Sequence, residues 1–147
     1  MKTRLMTLAL SGLLLLLSTG CGDDGGSDPA PLTTAQKIAR TWKTTEVSVN
    51  GSVNTVDDYS GFRISFTATA DGAPNTYSIT VGNAPATPNF NAPNNGSWSF
   101  VSGETAIQLG SDNQVNIIGT PTESSLTLEW VDTVDKSSPQ YRFVLVP

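Results

Sequence analysis

The sequence predicts an all-β protein: an eight-stranded antiparallel up-and-down meander barrel preceded by a short N-terminal helix. Three observations carry this prediction. Downstream of residue 40, apolar and polar residues alternate with period two in one short segment after another, which buries one face of each strand and wets the other. The segments are joined by brief stretches of Asn, Gly, Asp and Ser, and short joins pair sequence neighbours antiparallel. Charged residues make up only 14 % of the chain while Gly, Pro, Ser, Thr and Asn are plentiful, the composition of a turn-rich domain outside the cytoplasm. A row of one-sided strands must cover both its edges and its apolar face. Closing into a barrel does both, and a two-sheet β-sandwich is the alternative.

With 147 residues, the chain has room for one domain and its appendages. Met1 to Arg4 carries two positive charges, Lys2 and Arg4, and Leu5 to Leu17 follows as thirteen mostly apolar residues. As a helix that run reaches about 20 Å at roughly 1.5 Å per residue, short of the ~30 Å hydrocarbon core of a bilayer. A basic start, a short apolar core and then small residues describe a secretory signal peptide over residues 1–20. The stretch Leu17-Ser18-Thr19-Gly20-Cys21 resembles the lipobox of bacterial lipoproteins, which makes Cys21, the only cysteine, the expected lipid attachment site. A lone thiol in an oxidising compartment needs an explanation, and acylation supplies one. One acyl chain binds a membrane only marginally, whereas the three usual on such cysteines anchor it stably.

Loss of residues 1–20 removes two positive charges and takes the net charge from −5 to −7. Residues 21–32 then read as a flexible acidic tether, with no apolar residue before Leu32 large enough to anchor a core. Gly22 stands where an inner-membrane retention Asp would, and Asp23-Asp24 resembles the acidic export tag of surface lipoproteins; a plain solvated linker is the other reading of the same pair. The expected location is the outer membrane, lipid-anchored, with the leaflet left open.

Residues 33–147 form the expected barrel domain. Leu32 to Arg40 suits a short helix with Thr33 or Thr34 as its N-cap. The first strand, Trp42 to Val49, has Trp42 on one parity and Val47 and Val49 on the other, which a β-bulge between them reconciles. Phe62, Ile64, Phe66 and Ala68 then alternate with Arg63, Ser65 and Thr67, and Tyr77, Ile79 and Val81 with Ser78 and Thr80. Trp98 and Phe100 flank Ser99, Ile107 and Leu109 flank Gln108, and Val115 and Ile117 flank Asn116. Leu126, Leu128 and Trp130 alternate with Thr127 and Glu129, and Tyr141, Phe143 and Leu145 close the pattern. Turns are expected at Asn50-Gly51, Asp71-Gly72, Asn95-Gly96, Gly110-Ser111-Asp112 and Thr120 to Glu123. The outlier is Gly82 to Ser97, a long connection with Pro85, Pro88, Pro93 and a single large apolar residue, Phe90, which either covers the mouth of a cavity or staples the loop to the wall.

The composition excludes several chemistries. His is absent, which removes imidazole metal sites and His-based triads, and one cysteine makes no internal disulfide. A net charge of −5 and a pI near 4.4 argue against a nucleic-acid partner, which needs clustered Lys and Arg. A Ser nucleophile would need a Lys base, and Lys37, Lys43 and Lys136 have no suggestive Ser setting. No spacing singles out two of Glu46, Glu104, Glu123 and Glu129 as a glycosidase pair, and by parity Arg63 and Glu129 face outward. Glu46 shares the parity of Trp42, which would turn it inward but for the bulge. The expectation is a monomeric protein without enzymatic activity, metal or cofactor.

Ile38-Ala39-Arg40-Thr41-Trp42-Lys43, followed by Gly61 to Phe66, Gly96 to Phe100 and Ser124 to Trp130 in meander spacing, resembles the lipocalin-like domains of small Bacteroidetes lipoproteins over residues 36–147. The resemblance implies a compact barrel, and members with known roles bind small apolar molecules inside it. Eight-stranded barrels stand at the threshold where side chains either fill the interior or leave one small cavity. The inward set holds Phe62, Phe66, Tyr77, Trp98, Phe100, Trp130, Tyr141 and Phe143, with Trp42 at the closed end, while Tyr59 at a strand start falls outside it. A ligand is expected at Phe66, Tyr77, Phe90, Trp98, Phe100, Trp130 and Tyr141; the alternative is a packed core in an envelope protein that serves a protein partner.

Overall fold

Strand alternation and turn chemistry translate into one closed sheet. In the computed structural model the described residues are 30–54, 58–84, 94–133 and 136–147. One unit spans Pro31–Pro147. Its elements are α1 (Thr34–Ile38), β1 (Thr41–Val49), β2 (Ser52–Val53), β3 (Arg63–Ala68), β4 (Pro74–Thr80), β5 (Asn95–Val101), β6 (Ala106–Leu109), β7 (Asn113–Ile117), β8 (Leu126–Val131) and β9 (Gln140–Val146). From β3 to β9 each strand pairs antiparallel with the next, and β1 pairs with both β3 and β9. The double pairing of β1 closes an eight-stranded meander barrel and rules out the sandwich. β2 is an extra two-residue strand that hairpins back on β1 through Asn50-Gly51, where both residues have positive φ as a tight right-twisting turn requires.

The bulge expected in β1 is present. Thr44 faces Leu145 and Glu46 faces Val144, which leaves Thr45 as the extra residue, its hydroxyl donating to the Val144 carbonyl at 3.0 Å. The extra residue inverts the parity of the strand, so Trp42 and Val47 are both buried and Glu46 is turned out to solvent. Glu46, which Trp42's parity alone would turn inward, faces out because of the bulge.

α1 plugs one end of the barrel. Thr33 is its N-cap, accepting from the Gln36 N–H at 3.2 Å while Gln36 Oε1 accepts from the Thr33 N–H at 2.9 Å. The Thr33 hydroxyl also donates to the Gly72 carbonyl in the β3–β4 turn at 3.0 Å, and Trp42 Nε1 donates to the Ile38 carbonyl at 2.8 Å. Arg40 reaches the Glu123 carboxylate in the β7–β8 connection at 3.3 Å and stands over the Trp42 ring. Ile38 and Trp42 are fully buried beneath these contacts. Because Thr33 both caps the helix and ties it to the barrel, Thr33→Ala is expected to cost about 1–2 kcal/mol, read as a lowered urea midpoint at unchanged slope.

Asn95-Gly96 is not a turn. Both residues lie in β5, with Gly96 paired to Tyr77, and a side chain on Gly96 would meet the Tyr77 ring at 3.2 Å. The ring occupies the space that Gly96 leaves, so this glycine serves a close approach within the sheet. The long connection accordingly ends at residue 94, and its residues 85–93, Phe90 among them, lie outside the described residues.

Candidate functional site

Inward parity gathers the aromatic side chains into two groups. Phe62 leads into β3, Trp130 sits in β8 and Phe143 in β9; the Phe62–Phe143 and Trp130–Phe143 centroids are each 5.1 Å apart, and Phe62–Trp130 is 6.4 Å. Tyr59 joins them edge-on against Phe143 at 5.4 Å and is only 5 % exposed. Tyr59 thus belongs to the core after all: it arrives from an irregular segment, where alternation gives no signal. The second group is Phe66, Trp98 and Phe100, with Trp98 at 5.1 Å from Phe66 and 5.2 Å from Phe100. Trp98 Nε1 donates to the Thr67 carbonyl at 2.8 Å, which satisfies the indole and ties β5 across to β3.

The expected ligand residues distribute over both groups. Phe66, Trp98 and Phe100 come together, and Tyr77 is the cross-strand neighbour of Phe66. Trp130 and Tyr141 form a separate cross-strand pair between β8 and β9, and Phe90 lies outside the described residues. Among the described members, Phe100 is the one that is only partly buried. Burial raises the Tyr77 hydroxyl above the usual tyrosine range. The aliphatic side chains of Ile64, Ile107, Leu109, Val115, Leu126, Leu128 and Leu145 are all fully buried.

A concavity lies in the wall of the barrel. β1 pairs with β3 only over Thr41 to Lys43 and with β2 only at Ser48 and Val49, so the bulged stretch between them opens onto the segment that leads into β3. The resulting groove has a volume of about 380 Å³. Buried Val47 and Tyr59 form its floor, and Glu46, Asn54, Asp58 and Ser60 stand around it. Thr44 also lines it, and the Thr44 hydroxyl oxygen is buried with no hydrogen-bond partner among the described residues. Hydrogen bonds from Ser60, its side chain first and then its backbone N–H at 2.8 Å, hold the Asp58 carboxyl below the usual carboxylate range. Nothing in the sequence marked this groove except the parity conflict in β1.

No protein-family model matches the chain, and no characterised protein or solved structure is significantly similar to it. Among the described residues, no group of three His, Cys, Asp or Glu side chains is arranged to hold a metal, and no helix is long and apolar enough to cross a membrane. Arg142 and Glu129 pair at 3.1 Å across the outer faces of β9 and β8, the outward placement that alternation gives to Glu129.

Proposed function

We propose that this chain is a lipid-anchored outer-membrane lipoprotein whose barrel is a non-catalytic scaffold with a self-filled core, serving a partner in the cell envelope. The observation that supports it is the meeting of Phe62, Trp130, Phe143 and Tyr59 at 5.1 to 6.4 Å, which occupies with the protein's own rings the space an apolar guest would take. The anchor rests on Cys21 behind a short apolar signal core, and the absence of His and of a Lys in a Ser setting supports the non-catalytic part.

A small apolar ligand inside the barrel is the second reading. It is favoured by Phe100, which rests against Trp98 yet keeps part of its surface open. Native mass spectrometry of the full lipoprotein, released in detergent from its own membranes, separates the two. The expected spectrum is the acylated chain beginning at Cys21 with no further adduct. A reproducible small-molecule adduct that vanishes on denaturation would replace the self-filled core with the ligand reading, and an unacylated chain would remove the anchor.

A further inference from the structure

We propose that Asn50-Gly51, in the turn between β1 and β2, is a site of spontaneous deamidation, with water as the second reactant and ammonia as the leaving group. The inference goes beyond the scaffold role and holds whether or not the barrel takes a ligand. The chain has two Asn-Gly pairs, Asn50-Gly51 and Asn95-Gly96, and the fold treats them oppositely. A glycine after asparagine has no side chain to shield its amide nitrogen, so both pairs are susceptible as sequences. The structure adds a fixed donor at the first pair and a ladder at the second.

The Gln140 backbone N–H donates to Asn50 Oδ1 at 2.9 Å. It polarises the Cγ carbonyl and stands where negative charge gathers on Oδ1 when a nucleophile adds to Cγ. The nucleophile is the next nitrogen along the chain, that of Gly51. Asn50 and Gly51 are both exposed, and a Cβ on Gly51 would meet nothing within 4 Å. The rotation that brings the Gly51 nitrogen to Cγ disturbs at most the pairing of the two-residue β2. At the second pair Asn95 faces Ser78 and Gly96 faces Tyr77 in the β4–β5 ladder, with the Tyr77 ring 3.2 Å from where a Cβ on Gly96 would stand. The same rotation there would part β5 from β4, which core strands rarely do.

In the reaction Gly51 N gives its proton to solvent hydroxide as its lone pair forms the bond to Cγ. The Cγ–Nδ2 bond breaks, and ammonia departs with a proton from water, leaving a five-membered succinimide. One water then opens the ring at either carbonyl, and nothing is oxidised or reduced. Opening at Cγ gives aspartate, which keeps an acceptor for Gln140 and adds one negative charge. Opening at the main-chain carbonyl gives isoaspartate, which runs the backbone through Cγ and adds one carbon to a tight turn. That turn stands at the seam where β1 meets β9, since the Asn50 N–H also donates to the Gln140 carbonyl at 2.9 Å.

The test is peptide mapping of the full chain after incubation at mildly alkaline pH, folded in detergent micelles and in parallel unfolded in urea. Fragmentation that separates aspartate from isoaspartate reads each site. Asn50 should react about 10-fold or more faster than Asn95 in the folded chain, and the two should agree within about 3-fold in urea. Gln140→Pro removes the donor alone, because the residue-140 carbonyl still accepts from Asn50 and proline is tolerated as the first residue of a strand. It should slow Asn50 by about 10-fold in the folded chain, with a dispersed NMR spectrum, and leave the rate in urea unaltered. Should that variant not fold, the two sites of the parent chain remain the test. Equal rates at the two folded sites, an inert Asn50 where the unfolded chain reacts, or an undiminished rate in a folded Gln140→Pro variant would each overturn the proposal.

Discussion

Phe143→Ala is expected to lower the stability of the barrel by about 3–5 kcal/mol, the range for removing a buried aromatic ring from a close-packed core. Phe143 is fully buried and is the residue on which Tyr59, Phe62 and Trp130 all converge. Its loss opens a space bordered by three rings that are held from three different directions, so the cavity cannot collapse by the movement of one neighbour. Domains of this size are stable by roughly 5–15 kcal/mol, which makes the substitution a large fraction of the whole. Urea denaturation followed by tryptophan fluorescence reads it directly, since Trp130 is at the site. Phe143→Leu, which keeps most of the volume, should lose less than half as much; equal losses would mean that the ring contacts rather than the filled volume hold the core.

Gly82→Ala should cost about 2–5 kcal/mol for a different reason. Gly82 has φ +64, where a side chain is strained, and a Cβ there would stand 2.7 Å from the Gly61 backbone. The strain of the left-handed conformation costs about 1–2 kcal/mol and the overpacking about 1–3 more. Gly119→Ala is the control, because Gly119 has φ +77 but open space around its Cα, so only the backbone cost applies. If the two variants lose equal stability by urea denaturation, the contact between residues 61 and 82 contributes nothing. That contact pins the start of the long connection to the entry of β3, the same irregular region that carries Tyr59 and the groove.

Much of this barrel was legible because its strands are one-sided. Alternation placed Ile64, Phe66, Trp98, Leu128, Phe143 and Leu145 inward, and the structure buries all six. Even the bulge in β1 was legible, since no straight strand can bury both Trp42 and Val47. Where the chain leaves regular structure, the pattern carries no information. Tyr59 reaches the core from a segment without period, and Asn95-Gly96, whose composition signals a turn, is held in β5 by the ring of Tyr77. Turn propensity is a local preference, and a cross-strand contact overrode it.

The candidate site divides in the same way. The sequence could supply an inventory of inward aromatics but not their distances, and those distances decide whether rings line a space or fill it. Phe66, Trp98 and Phe100 gather in one group while Trp130 turns to Phe62 and Phe143 in another, a partition that depends on strand stagger around the closed barrel. The groove required more still: it exists because β1 exchanges one pairing partner for another along its length.

By itself the sequence determined the strands, their buried faces, their neighbours and the defect in β1, because period, parity and loop length are properties of short stretches of chain. Only the tertiary structure decided that β1 meets β9 to close the sheet, that α1 plugs one end, and that Glu46 and Asp58 share one concavity. Those outcomes join residues tens of positions apart, and the energy that selects them comes from packing and closure, which no local pattern records.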